Sequence, residues 1–268
     1  MIRLFRRQVA VPADHGSWVF LLSPLLIGLF AGGRLSAVSA YVVMAALCAF
    51  LIRQPVTVAI KVTSGRRPRS ELPAAAAWIA IYTAVGLLHV AGLVWRGFGY
   101  LLYLALPMLP ILSWYLALVA RRAERQLGIE LIGSGVLALS APAAYWVGVG
   151  GPDPRGWWLW VLTWLQGAAS ILHVHMRLRQ REPVARAARG RHREPALLVA
   201  NFNLAAVLTL SALAILPALL ALSFAAQWLE TVRGAGWAAP PAQPRRIGLR
   251  QLAVSALFTA LFILVWRD

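Results

Sequence analysis

The sequence predicts an all-α bundle of about nine transmembrane helices, and three features carry that prediction. Of its 268 residues, 60% are hydrophobic and only 13% charged, where a soluble domain has about 25% charged. The apolar residues fall in blocks of about 17–25, the length that crosses a hydrocarbon core of roughly 30 Å. The cations lie between those blocks. A net charge of +17, which in a soluble protein would suggest nucleic acid, therefore reads here as membrane topology, and no nucleic-acid partner is expected.

Taken in order, residues 1–16 carry Arg3, Arg6 and Arg7 and read as an amphipathic segment on the cytoplasmic surface. No small-residue cleavage site stands out, so the first apolar block is expected to be a crossing and not a leader. That crossing covers about 17–32, with Pro24 placed to bend it. The second covers 36–52 and stops at Arg53-Gln54-Pro55. Residues 54–72 form a basic connection, of which 56–60 is apolar enough for a continued helix or a re-entrant dip. The third and fourth crossings, 73–94 and 99–120, flank a turn at Trp95, Arg96 and Gly97; Pro107 and Pro110 predict a kink in the fourth. Residues 121–126 are basic, and the fifth crossing, 127–149, brings Glu130 and a close-packing Gly133-Ser134-Gly135 surface. Trp157, Trp158 and Trp160 form an interfacial belt at the head of the sixth, 157–176. It runs into the arginine-rich stretch 177–195. Residues 196–228 are too long for one crossing and divide near 211–217, at Pro217, into the seventh and eighth. A basic segment, 233–250, then leads to the ninth, 249–266.

The charge distribution tests that count. With nine crossings and the N-terminus inside, the interior segments 1–16, 53–72, 121–126, 177–195 and 233–250 hold 22 of the 26 cationic residues. Arg34, Arg96, Arg155 and Arg267 alone fall outside. Fusing crossings seven and eight would export Arg233, Arg245, Arg246 and Arg250 and spoil the asymmetry. The chain is thus expected to be one multi-pass domain, 1–268, in a bacterial plasma membrane, with its C-terminus outside.

Pro12, His15, Gly16 and Trp18, in the order Pro-x-x-His-Gly-x-Trp, resemble the entry to the first helix of YwiC-like bacterial membrane proteins. The Arg53-Gln54-Pro55 exit from the second crossing and the Leu172, His173, Arg177 exit from the sixth resemble that family as well. This resemblance spans nearly the whole chain and implies a fold without an assigned activity. The nine-helix layout is also similar to UbiA-type prenyltransferases, in which Asp-rich motifs at the cytoplasmic ends of helices two and six hold a prenyl diphosphate through magnesium. The equivalent places here are Arg53 to Thr57 and His173 to Arg177, and neither contains an aspartate.

Residues four apart on a helix share a face, so Gln166, Ser170, His173, Arg177 and Gln180 form a polar stripe in the sixth crossing. Carboxylates need a divalent cation to hold a phosphate, whereas guanidinium, ammonium and protonated imidazole grip the anion directly. A metal-free anion site is therefore expected at the cytoplasmic mouth, built from Arg53, Gln54, Lys61, Gln166, Ser170, His173 and Arg177. It would take a phosphate- or carboxylate-headed lipid or isoprenoid. The competing reading has the same cations snorkelling to phospholipid headgroups, in a transporter or partner-binding subunit whose basic loops only set topology. Asp14 and His15 form a candidate proton-transfer pair, or Asp14 caps the first crossing. Glu130 is a candidate general base or the partner of an arginine. Asn201 and Asn203 face different ways and read as interhelical hydrogen-bonders.

No metal or cofactor is expected. Cys48 is the only cysteine, which excludes an intrachain disulfide and a cysteine-based metal site. His173 and His175 do not share a helical face, and His89 is predicted near the opposite membrane surface, so the histidines do not suit zinc or haem.

Overall fold

The computed structural model describes residues 7–12, 15–121, 127–181, 194–236 and 243–266. Among these residues the chain is all α-helical, in agreement with the expected class. The helices are α1 (Arg7–Ala10), α2 (His15–Ala31), α3 (Ala37–Leu51), α4 (Arg53–Thr63), α5 (Leu72–Leu93), α6 (Ala105–Ala120), α7 (Leu127–Ala138), α8 (Ser140–Val149), α9 (Arg155–Arg179), α10 (Glu194–Ala212), α11 (Ala221–Gly236) and α12 (Pro244–Trp266).

Proline and glycine set most of the breaks. Pro55 has no N–H for the Leu51 carbonyl, and the helical hydrogen bonding is interrupted at Ile52 between α3 and α4. Pro142 deprives the Ala138 carbonyl in the same way, dividing the predicted fifth crossing into α7 and α8 at Leu139. The stretch Arg69–Ala120 runs 52 residues, more than twice the ~20 of a crossing. Left-handed Gly97, at φ 89°, breaks it at the predicted turn. Gly99–Leu104 then winds as a 3₁₀ helix before α6, which contains Pro110. The long apolar run after Glu194 does turn where expected: Ala214 adopts φ 56°, Ser211 Oγ donates to the Pro217 carbonyl, and α11 follows.

By length and composition, five elements among the described residues can cross a membrane: Ala37–Thr63, Arg69–Ala120, Leu127–Val149, Glu194–Ala212 and Pro244–Trp266. Arg69–Ala120 holds two of the nine expected crossings. The other three fall on α2, which is short, and on α9 and α11, whose Trp, Gln, His and Glu residues lower their apolarity.

The N-terminal segments pack against one another. In the basic connection, residues 54–63 continue as helix α4, one of the two forms expected of 56–60, and its Val58 and Val62 are buried with Val9, Ala74 and Ala75. The described part of the N-terminus packs one face on the bundle and leaves Gln8 exposed. Val9 is buried beneath α4 and α5, Tyr82 Oη donates to the Ala10 carbonyl, and Gln54 Nε2 donates to the Gln8 carbonyl.

Helix α2 is central, packing on α3, α7, α8, α9 and α12. Its contact with α8 is backbone to backbone. A Cβ on Gly28 would stand 2.2 Å from the Ala141 carbonyl oxygen, and one on Gly32 would stand 2.9 Å from the Gly148 Cα. Lipid supplies no hydrophobic drive between helices, so such close approach is what holds them. Helix α9 is tied to α7 through indole N–H groups, Trp160 Nε1 to the Gly135 carbonyl and Trp164 Nε1 to the Leu131 carbonyl, both at 2.9 Å.

Candidate functional site

Three helices turn polar faces toward one another at one end of the bundle. On α9 the face is Gln166, Ser170, His173 and Arg177, the stripe expected from the sequence. Helix α11 answers with Gln227, Glu230, Thr231 and Gly234, spaced three and four apart, and α12 with Arg250, Gln251 and Ser255. Gln166, His173 and Gln227 are 5%, 3% and 2% exposed, so their polar atoms depend on protein partners.

The partners form two groups. Deeper in the bundle, Gln227 Oε1 accepts from Gln251 Nε2 at 2.7 Å and from Gln166 Nε2 at 3.2 Å, while Gln227 Nε2 donates to Thr231 Oγ1. Nearer the end, Arg250 grips Glu230 with two nitrogens, Nε to Oε1 at 2.5 Å and a terminal nitrogen to Oε2 at 2.7 Å. His173 Nε2 stands 3.7 Å from Glu230 Oε1, beyond hydrogen-bond length but within direct electrostatic reach. Arg177 and Gln180 both donate to the Gly234 carbonyl, at 3.1 and 3.2 Å, and so satisfy the last turn of α11. Gly234 makes this possible: a Cβ there would lie 2.8 Å from the His173 ring.

The remaining candidates lie elsewhere. Arg53, Gln54 and Lys61 belong to α4, which packs on α1, α5 and α6, whereas α9 packs on α2, α7, α8, α10, α11 and α12. The Arg53 guanidinium sits 5.6 and 5.8 Å from the ring centres of Phe50 and Tyr115, a cation–π setting. The expected anion grip is therefore split, with His173 and Arg177 in one cluster and Arg53 and Lys61 on another helix. Glu130 meets a histidine, His175, at 3.0 Å, where an arginine was one of the expectations. His15 opens α2, and Asp14 lies outside the described residues, as do the basic residues of 122–126 and 182–193. Asn203 donates to the Leu165 carbonyl, and Asn201 accepts from Trp228, both between helices as expected. Among the described residues, no three His, Cys, Asp or Glu side chains gather as a metal site would require.

Sequence reasoning missed Gln227, Glu230, Thr231, Arg250 and Gln251. Their signal was present: α11 has the same three-and-four polar spacing as α9, in an otherwise apolar run.

Apolar helices with a polar interior between three of them suggest a membrane protein. The relatives refine this. Residues 11–145, half of the chain, match the YwiC-like protein family, and the chain belongs to that family. It is 23% identical over 175 residues to the uncharacterized protein YwiC of Bacillus subtilis (strain 168), a stretch that covers 65% of this chain and 70% of that protein. No solved structure gives a significant match. The family resemblance expected from Pro12, His15, Gly16 and Trp18 is thus borne out. The α9–α11–α12 cluster lies beyond the residues that match the family.

Proposed function

We propose that this YwiC-like protein holds the anionic head of a lipid or isoprenoid at the cytoplasmic end of α9, α11 and α12, without magnesium. The observation that supports this most is the charge balance of the cluster. Arg177 and Arg250 approach from two helices, and among the described residues at that point Glu230 is the single carboxylate. Two fixed guanidinium groups around one carboxylate leave a positive surplus where a phosphate or carboxylate head can be gripped directly. The proposal includes the multi-pass topology in a bacterial plasma membrane: nine crossings, N-terminus inside, C-terminus outside, in a UbiA-like layout. The arginine asymmetry supports that topology.

A second reading is favoured by the same contacts. Arg177 satisfies the end of α11 and Arg250 is engaged by Glu230, so both serve as braces in a membrane subunit or transporter whose basic segments set its orientation. Native mass spectrometry of protein extracted in lipid nanodiscs separates the two. The anion site predicts a discrete phosphate- or carboxylate-headed species on wild type and on Arg53→Ala, reduced at least tenfold on Arg177→Ala/Arg250→Ala. Identical bulk phospholipid on all three proteins would sink it and leave the bracing reading.

A further inference from the structure

A small cavity lined by both polar and apolar side chains lies deeper in the bundle, where α2, α7, α9 and α12 meet. Its volume is about 20 Å³, and its polar lining is Ser23, Ser134, Thr163, Gln166, Ser170 and Ser255. We propose that it is a binding site for one ordered water molecule that bridges the two halves of the chain.

The space exceeds the roughly 10–15 Å³ that one water requires, and it is too small for a lipid head. Its wall presents spare acceptors. Gln166 spends its amide N–H on Gln227, and its Oε1 is buried with no hydrogen-bond partner among the described residues. The Ser134 and Thr163 hydroxyls donate to the Leu131 and Leu159 carbonyls, which leaves their oxygen lone pairs available. Pro24, which also lines the cavity, has no N–H, so the carbonyl of Phe20 on the same wall lacks its usual donor. A buried acceptor left without a donor is costly, and water supplies two donors. A monovalent cation is the other guest that several neutral oxygens could hold. No carboxylate lines this one, and Arg177 lies two turns along α9 from Ser170, so the charge balance favours the neutral guest.

The test is a structure of the full chain in nanodiscs, fine enough to show ordered solvent, in sodium and again in rubidium or thallium buffer. Alongside it, the thermal midpoint of Ser170→Val is compared with wild type. A peak within about 3 Å of Gln166 Oε1, unchanged between buffers, is the expected result. Ser170→Val should then lower the midpoint by about 3 °C, because the added methyl groups displace the water and orphan Gln166. A peak that strengthens with the heavy cation, or no peak together with a raised midpoint in Ser170→Val, overturns the proposal.

Discussion

The α2–α8 contact and the α9–α11–α12 contact solve one problem by opposite means. Within lipid, helices must be held by something other than the exclusion of water. Gly28 and Gly32 let α2 press its backbone onto Ala141 and Gly148, so the bond is dispersion at close range. At the other contact, a buried set of amides lies beside an imidazole, a mostly buried carboxylate and guanidinium groups, of which Arg250 is half exposed. The first arrangement tolerates no added atom, and the second tolerates no lost partner. The Gly28–Ala141 part of the close-packed contact lies within the residues that match the family, Gly148 lies just past them, and the polar contact lies well beyond.

Substitutions can break or sharpen that contrast. The largest effect is expected from Gly28→Ala, whose Cβ would collide with the Ala141 carbonyl and force the two backbones apart. It should cost about 3 kcal/mol in denaturant unfolding from detergent micelles. Gly133→Ala, with open space around its Cβ, should be near neutral and serves as the control. If both behave alike, close packing does not hold this half together. Arg250→Ala should come next, at about 2 kcal/mol, because it leaves the mostly buried Glu230 carboxylate without its guanidinium. Adding Glu230→Gln should recover part of that loss, and strict additivity of the two changes would show that the pair is not coupled. The smallest effect belongs to His175→Ala. Its contact with Glu130 is a third to a half exposed, and the change should shift stability by no more than about 0.5 kcal/mol. A loss comparable to that of Arg250→Ala would mean that the polar network extends to α7.

Much of this was legible in the residues. The helical class, the Trp95–Gly97 turn and the reversal near Pro217 follow from block length and turn chemistry. The α9 stripe follows from helical spacing. What periodicity cannot give is the identity of the neighbour that a face meets. Arg53 and Arg177 were grouped because both follow apolar blocks and end on the same predicted side, yet α4 packs with α5 and α6 while α9 packs with α11 and α12. Glu230 escaped for the converse reason. Its partners Arg250 and His173 lie 20 and 57 positions away, and only folding brings them together. Helix α4, which takes up 54–63 of the basic connection, was visible in part, since the apolar residues 56–60 already allowed a continued helix.

One oxygen atom joins three helices. Gln227 Oε1 accepts hydrogen bonds from α9 and from α12 at once. Greasy helix surfaces can slide past each other lengthwise at small cost, because one methyl group substitutes for the next. Here a slip of α11 by a single turn, about 5.4 Å, would strand both donors together. Gln227 therefore works as a key in a lock, fixing how far each of the three helices stands along the axis of its neighbours.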